Sequence, residues 1–354
     1  MPDRETLFIT GFPGFIANRL LERLARRECD FILLVQPSLR SRAVAEIERI
    51  AQLGGQSDFR IVEGDISEPG LALNVADLEL VQQLTTRVFH LAAVYDLAVP
   101  EDIAMRVNAG GTRNVVDLAR TLSRLRQFHH VSTCYVAGKR EGVILETELR
   151  HDAGYRNFYE ESKNLAEQEV DSAKNDLPVT IHRPAVVCGD SQTGETGKYD
   201  GVYYLIHYLL RWPSVLSQIN IGNHEVSLNL VPVDFVVDAM AAMAFEERAI
   251  GKTLQLADPS PLTTNQLFNA IAGSIDGHHS KITAPPTWVR FFLMLPPSPR
   301  ITGLPHHAVP YFFVKQLYDS TEAQQLLAPH GIHCPPFESY VDRIINFART
   351  HPVI

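Results

Sequence analysis

Short apolar runs alternate with amphipathic segments along the first half of the chain. Segments with helical periodicity lie between the runs, over Asn18–Arg27, Val107–Leu125 and Glu160–Ala173. Strands that alternate with helices at this spacing predict an α/β architecture: a parallel, doubly wound sheet with helices on both faces. The apolar runs predicted as strands are Leu7–Thr10, Phe31–Val35, Arg60–Val62, Val88–Leu91, Phe128–Ser132 and Val179–Ile181.

The second half of the chain has a different composition. A polar, glycine-rich stretch covers Gly189–Gly201, and prolines accumulate in Pro285–Pro305. We therefore predict a smaller, mostly helical C-terminal subdomain over the carboxyl edge of the sheet, and we expect Leu228–Val237 to return to the main sheet. The predicted sheet domain comprises residues 1–190 and 226–258, and the predicted substrate-binding subdomain comprises residues 191–225 and 259–354.

A glycine-rich turn follows the first apolar run and opens the first predicted helix. It reads Thr10-Gly11-Phe12-Pro13-Gly14-Phe15-Ile16-Ala17. Gly11 permits a tight turn, Gly14 lets the backbone approach a pyrophosphate, and Ala17 allows helix and strand to pack closely. The free N–H groups of the helix would favour an anion there. The turn predicts a dinucleotide site on Gly11, Phe12, Pro13, Gly14, Phe15 and Ile16.

The residues after the second apolar run bear on the choice between NAD and NADP. NAD-specific sites usually carry Asp or Glu there, to bind the ribose 2′-hydroxyl. This sequence instead continues Gln36-Pro37-Ser38-Leu39-Arg40-Ser41-Arg42, without a carboxylate. Arg40 and Arg42 could pair with a 2′-phosphate, so the pattern favours NADPH over NAD. Gln36, Ser38 and Arg40 are the predicted contacts.

A Tyr-x-x-x-Lys pair opens the helix predicted over Glu160–Ala173. Tyr159 and Lys163 would lie one turn apart on the same helix face. An adjacent ammonium favours the phenolate of a tyrosine, and Lys163 could also hold the nicotinamide ribose. At the end of the preceding strand, the Thr133 hydroxyl could stabilise the oxyanion of a reacting carbonyl, with Ser132 as the second candidate.

These features together resemble the extended short-chain dehydrogenase/reductase superfamily over most of the chain. The resemblance implies an NADP-binding Rossmann domain and a catalytic triad of Thr133, Tyr159 and Lys163. The cofactor contacts that it implies, besides the glycine turn and Lys163, are Asp65, Ile66, Ala92, Ala93, Asn108, Pro184 and Val186. The family's elements occur in its order, as Thr10–Ala17, Gly64–Ile66, His90–Ala93, Asn108–Thr112, Ser132-Thr133, Tyr159–Lys163 and Arg183-Pro184.

A narrower resemblance points to the branch that contains fatty acyl-CoA reductases and thioester reductase domains. It rests on Thr10–Phe15, His130–Thr133 and Gly189–Gly194. Members of that branch reduce acyl thioesters to aldehydes, and sometimes onward to alcohols, with NADPH. Gln36 departs from the arginine that the branch often carries there. With no adenylation or carrier domain ahead of this sequence, a thioester is expected to arrive in trans, from an acyl carrier. We likewise do not expect the long C-terminal helical region of eukaryotic acyl-CoA reductases.

Rival functions use the same residues. Two apolar segments, Tyr203–Trp212 and Trp288–Pro297, could line a pocket for an alkyl chain, form core helices or rest on a membrane surface. The alternative function is an NAD(P)H-dependent carbonyl or alcohol dehydrogenase for fatty aldehydes or bulky, sterol- or flavonoid-like ketones. The intact triad argues against a non-catalytic NADP-binding module. The apolar, proline-rich C-terminal third argues against a nucleotide-sugar epimerase.

The charge of the chain argues against one further class of function. Lys and Arg number 32 against 41 Asp and Glu, and this net charge of −9 argues against nucleic-acid binding. The arginine clusters in Arg19–Arg27 and Arg113–Arg126 are interpreted as solvated helix faces.

The cysteines and histidines indicate whether the protein binds a metal, and the hydropathy of the chain indicates whether it spans a membrane. The four cysteines and 14 histidines show no metal-binding spacing, so we predict no metal and reduced thiols in a cytoplasmic protein. No run reaches the roughly 18 apolar residues of a spanning helix, which leaves a peripheral membrane contact as an alternative. A homodimer is an expectation from the family alone.

Overall fold

The computed structural model describes residues 4–53, 56–211, 213–277 and 279–352. Its strands, in chain order, are β1 Glu5–Thr10, β2 Cys29–Val35, β3 Phe59–Glu63, β4 Arg87–His90, β5 Gln127–Val131, β6 Gly142–Ile144, β7 Val179–Pro184, β8 Val186–Cys188, β9 Ile219–Asn220, β10 Leu230–Pro232, β11 Thr253–Leu256, β12 Ile282–Thr283 and β13 Gln316–Tyr318. Its helices are α1 Phe15–Leu24, α2 Arg40–Ala51, α3 Val75–Leu84, α4 Glu101–Ala104, α5 Gly111–Ala119, α6 Phe158–Ala173, α7 Val202–Arg211, α8 Pro213–Leu216, α9 Val233–Met243, α10 Thr264–Asp276, α11 Pro286–Leu293, α12 Ser298–Thr302, α13 Thr321–Leu327 and α14 Val341–Thr350.

A seven-stranded parallel sheet in the order β11-β7-β5-β4-β1-β2-β3 forms the centre of the molecule. Its strands are largely buried, except for the edge strand β3, which is partly exposed. Residues of α1, α9 and α13 pack on one face, and residues of α3, α5 and α6 pack on the other. The predicted doubly wound fold is therefore confirmed. The strand order changes direction between β1 and β4, and in such sheets ligands bind in the crevice at the carboxyl ends beside this point.

The prediction that Leu228–Val237 returns to the main sheet is wrong. β10 pairs with β8 in a separate two-stranded parallel sheet, and β11 is the strand that completes the main sheet beside β7. From Val233 the chain is helical, and α9 packs on α1. The misassignment has a physical reason: a short apolar run fits a buried helix as well as a buried strand, so periodicity does not separate the two.

The helix predicted over Val107–Leu125 is shorter and less regular than expected. A π-helical turn covers Met105–Gly110, and regular α-helix follows only over Gly111–Ala119. The chain then turns toward the start of β5 at Gln127. Within the π-helical turn lies Asn108, whose side chain hydrogen-bonds groups outside its own helix.

The C-terminal part of the chain forms a second apolar cluster from α7, α10 and α14. A smaller cluster joins α11 to the 3₁₀ helix His306–Phe312. α13 instead packs on β11 beside the main sheet. The division of the chain into two domains stays a prediction. Among the described helices, none is both long and apolar enough to cross a membrane.

Candidate active site

The glycine turn forms a backbone cradle at the carboxyl end of β1. Gly11 has a φ of +87°, and a Cβ atom there would lie 2.7 Å from the backbone nitrogen of Ala92. A Cβ atom on Gly14 would lie 2.7 Å from the Gly11 carbonyl oxygen. No side chain caps the N-terminus of α1. Open helix N–H groups beside two obligatory glycines fit the pyrophosphate of a dinucleotide.

A cleft of about 580 Å³ extends from this cradle to the Tyr-Lys pair. It brings together most of the residues that the sequence predicted for cofactor and catalysis. Those that line it are Gly11, Phe12, Pro13, Gly14, Phe15, Ile16, Gln36, Asp65, Ile66, Ala92, Ala93, Thr133, Tyr159, Lys163, Pro184 and Val186.

Three predicted cofactor contacts, Ser38, Arg40 and Asn108, are not among the residues that line the cleft. The Arg40 guanidinium pairs with the Glu63 carboxylate at 2.9 Å on the exposed surface. The Asn108 amide bonds both backbone groups of Val94 and the Ser162 hydroxyl. Asn108 is therefore placed to hold the chain after β4 against α6.

The end of the cleft away from the Tyr-Lys pair is organised by Asp65. Its carboxylate accepts hydrogen bonds from the Gln36 amide at 3.1 Å and from the Ser67 backbone and hydroxyl, each at 2.8 Å. Burial opposes ionisation, but these bonds together lower the pKa of Asp65. Arg42 lines the same end of the cleft. This end of the cleft therefore presents the Asp65 carboxylate, held in place by its hydrogen bonds, and the Arg42 side chain.

The predicted triad comes together where β5 meets α6. Asn157 caps α6, so Tyr159 and Lys163 lie in its first two turns. The Thr133 hydroxyl hydrogen-bonds the Tyr159 phenol, which lowers the pKa of Tyr159, but the larger effect of burial raises it. The phenol therefore keeps its proton near neutrality, as a proton donor must.

Lys163 lies one turn further along α6 and is almost completely buried. Its ammonium donates a hydrogen bond to the Val131 carbonyl at 2.8 Å. Burial lowers the pKa of Lys163 to about 8, and the nearby Glu167 carboxylate opposes that shift. Lys163 thus reaches across to the end of β5 and remains mostly protonated at neutral pH.

The second candidate for the oxyanion partner, Ser132, is engaged elsewhere. Its hydroxyl donates to the Glu167 carboxylate, which is also held by the buried Arg183 guanidinium. Of the two hydroxyls at the end of β5, only Thr133 hydrogen-bonds the Tyr159 phenol.

Sequence reasoning missed several cleft residues that come from distant segments. The Tyr95 ring packs edge-on against Tyr159, with ring centres 5.1 Å apart. Asp200 hydrogen-bonds Tyr95, and burial raises the pKa of the Asp200 carboxyl. Lys198 lies over the Tyr95 ring at 5.0 Å. No local motif marks these residues, because only the folded chain brings them to Tyr159.

One smaller cavity adjoins the catalytic end of the cleft, and a second adjoins that cavity. The first, of about 70 Å³, shares Tyr95, Tyr135 and Asp200 with the cleft. The second, of about 40 Å³, shares Tyr204 and Phe312 with the first. It is lined mainly by apolar residues of α7, α10, α11 and the segment after α12, and both apolar segments singled out in the sequence contribute to it. Trp212, the last residue of the first segment, lies outside the described residues.

Comparison with known proteins places the chain in a family. The family model described as male sterility protein matches residues 9–240. This chain belongs to that family. It is a branch of the extended short-chain dehydrogenase/reductases, so the predicted resemblance and the class of NAD(P)-dependent oxidoreductase are confirmed. A nicotinamide cofactor follows from the same membership.

Curated relatives agree with this assignment. A fatty acyl-CoA reductase of Drosophila melanogaster is 26% identical over 278 residues, which cover 68% of this chain and 54% of the relative. A fatty acyl-CoA reductase of Arabidopsis thaliana is 23% identical and is covered over 63% of its length. The chain thus spans between half and two thirds of the length of these relatives.

Solved structures share the fold over nearly the whole chain. The terminal R domain of the myxalamid PKS-NRPS pathway has a TM-score of 0.83 at 24% identity, covering 99% of this chain and 92% of that domain. A thiolation-reductase di-domain from an archaeal non-ribosomal peptide synthetase has a TM-score of 0.76 at 18% identity, covering 98% of this chain and 76% of that one.

Proposed function

We propose that this protein uses NADPH to reduce an acyl thioester to an aldehyde, and onward to the alcohol where a second hydride is delivered. The observation that carries the proposal is the line of cavities from Thr133 and Tyr159 into apolar space between α7, α10 and α11. An acyl chain in that space would gain about 0.8 kcal/mol for each buried methylene. The fatty acyl-CoA reductases and thioester reductase domains that resemble this chain support the same substrate class.

The reaction divides between the cofactor and the triad. Bound nicotinamide supplies a hydride to the thioester carbonyl carbon. Tyr159 gives its phenolic proton to the carbonyl oxygen, and the Thr133 hydroxyl stabilises the negative charge that develops there. The product of this step is a hemithioacetal. Its carbon–sulfur bond then breaks with the electron pair leaving on sulfur, the hydroxyl proton returns to Tyr159, and solvent protonates the thiolate.

Lys163 is assigned the nicotinamide ribose. Its buried ammonium has an accepting partner in the Val131 carbonyl and has further donors to offer a ribose hydroxyl. Fixing the ribose aligns the hydride donor with the substrate carbonyl, which is a positional contribution to rate. The glycine cradle would hold the pyrophosphate.

The choice of NADPH rests on Arg42. It lines the cleft near Gln36 and Asp65, whereas Arg40 is paired with Glu63. A guanidinium can bind a 2′-phosphate in bidentate fashion. No carboxylate follows directly after β2, where an NAD-specific site would carry one.

The acyl group is carried by coenzyme A or a carrier protein in this proposal. The thiolation-reductase neighbour, in which a thiolation domain accompanies the reductase, makes carrier delivery reasonable. The test is NADPH oxidation with a long-chain acyl-CoA, the same acyl group on a carrier protein, the matching fatty aldehyde and a bulky ketone. We expect thioester-dependent oxidation with release of free thiol and aldehyde. Turnover of aldehyde or ketone without any thioester turnover would instead favour the carbonyl dehydrogenase.

A further inference from the structure

Helix α11 exposes large apolar side chains on its outer face. Trp288 is 72% exposed and Phe291 is 65% exposed, and these two lie one turn apart on the helix. Phe292 and Met294 are exposed as well. The opposite face buries Val289 and Leu293 against the segment after α12. Exposed aromatic side chains concentrated on one helix face mark a binding surface more often than single exposed residues do.

Residues 201–224 and 277–315, which we call the α11 lobe, also differ in charge from the rest of the chain. Residues 277–315 contain no Asp or Glu, and they contain Lys281, Arg290 and Arg300, besides Lys315, which pairs with the Glu225 carboxylate. Residues 201–224 likewise lack Asp and Glu and contain Arg211. The whole chain, by contrast, has a net charge of −9. Cationic segments without acidic residues of their own, in an anionic protein, are complementary to an anionic surface.

We propose that the outer face of α11 rests on an anionic lipid surface, with Trp288 and Phe291 inserted among the headgroups. Tryptophan and phenylalanine beside lysine and arginine are typical of helices that lie in a membrane interface. A second copy of this lobe would bring like charges together, which disfavours self-association through the same face.

The inner face of the same helix connects this surface to the catalytic cleft. Val289 and Leu293 line the apolar cavity that the proposed function assigns to an acyl chain. A lipid surface under α11 would therefore lie against one wall of that cavity. The docking itself depends on the exposed residues alone, so it can be tested without substrate or cofactor.

Several arginines of the clusters noted in the sequence are engaged by neighbouring carboxylates. Arg19 and Arg23 pair with Glu195 and Asp238, and Arg113 pairs with Glu169. Pairing with neighbouring carboxylates removes much of their attraction for a distant anion. The cationic character of the α11 lobe comes instead from a stretch of sequence without acidic residues.

The test is co-sedimentation of the whole protein with vesicles of phosphatidylcholine alone or mixed equally with phosphatidylglycerol. We expect binding to the mixed vesicles that weakens as salt is added. Replacing Trp288→Glu together with Phe291→Glu should reduce the affinity about tenfold or more. Val75, 74% exposed on α3, provides the matched control, and Val75→Glu should bind like the parent.

Fluorescence supplies a second readout. The chain has two tryptophans, so Trp212→Phe leaves Trp288 as the single emitter. Its emission should shift to the blue when mixed vesicles are added. The proposal is overturned if the parent does not bind these vesicles, or if Val75→Glu loses as much affinity as the double variant. A dimer that Trp288→Glu disrupts, or an acidic acyl carrier that shifts the emission where vesicles do not, would also overturn it.

Discussion

Arg183 of β7 and Glu167 of α6 form a buried ion pair next to the end of β5. The Arg183 Nη2 atom lies 2.6 Å from the Glu167 Oε1 atom, and the Arg183 Nε atom lies 2.9 Å from it. Glu167 also accepts the Ser132 hydroxyl. Since Tyr159, Lys163 and Glu167 follow one another at intervals of one turn on α6, the pair fixes the catalytic helix against β5 and β7.

Breaking this pair should destabilise the fold strongly. Glu167→Leu or Arg183→Met alone leaves an uncompensated buried charge, and we expect each to cost about 3–5 kcal/mol in the free energy of unfolding. The double variant removes both charges and should recover most of that loss. Urea denaturation of the four proteins measures the coupling. If the loss in free energy of unfolding for the double variant equals the sum of the two single losses, the two charges do not depend on each other and the interpretation is contradicted.

Tyr159→Phe should abolish reduction while leaving the fold and NADPH binding intact. Losing the proton donor is expected to lower kcat about 100- to 10,000-fold. Tyr199→Phe is the matched control, because the Tyr199 hydroxyl bonds the His351 carbonyl and Tyr199 is not among the residues that line the cleft. Steady-state kinetics and NADPH fluorescence titration measure both effects. An active Tyr159→Phe protein would refute the assignment of the proton donor.

Lys163 should impose a basic limb on the pH profile. Its pKa of about 8 lies below its ordinary value of 10.5, so the ammonium is present below pH 8 and lost as the pH rises through it. We expect kcat/KM for NADPH, which reports on the free enzyme, to fall above about pH 8. Lys163→Arg keeps its charge over this pH range. We expect that variant to have a lower kcat/KM that no longer falls above about pH 8. An unchanged limb in that variant would assign it to another group.

Arg42 should distinguish the two nicotinamide cofactors. Arg42→Ala is expected to raise KM for NADPH about tenfold or more, because a charged hydrogen bond to the 2′-phosphate is lost, while KM for NADH stays the same. Arg40→Ala is the matched control, since Arg40 pairs with Glu63 outside the cleft. Equal losses with both cofactors for Arg42→Ala would mean that this residue does not bind the phosphate.

Buried histidines should make the protein sensitive to acid. Burial lowers the pKa values of His90 and His182 from 6.5 to about 3. Below pH 6.5 the unfolded chain therefore binds more protons than the folded protein does. The free energy of unfolding consequently decreases as the pH falls from 6.5 toward 3. Each histidine contributes a slope of at most about 1.4 kcal/mol per pH unit. His182→Gln should reduce the slope in urea denaturation, whereas the exposed His351→Gln should leave it unchanged.

Much of the cofactor site could be predicted because its requirements are local. A turn that approaches a pyrophosphate needs glycine at Gly11 and Gly14, and a pair on one helix face needs the spacing of Tyr159 and Lys163. Such constraints act over a few residues of continuous chain. They are readable in the sequence without knowledge of what packs against them.

Tertiary structure decided which partner each polar side chain takes. Ser132 and Thr133 are adjacent and chemically alike, but Glu167 engages the first and leaves the second to the Tyr159 phenol. Arg40 and Arg42 differ in the same way, because Glu63 lies within reach of only the first.

The apolar runs show the same division. The sequence by itself determined most of the buried strands of the main sheet and the order in which they follow along the chain. Only the folded chain decided that β10 joins β8 instead of the main sheet, and that α7 and α11 enclose one cavity. Burial depends on a residue's own hydrophobicity, whereas pairing is a choice among several apolar surfaces that distant parts of the chain bring together.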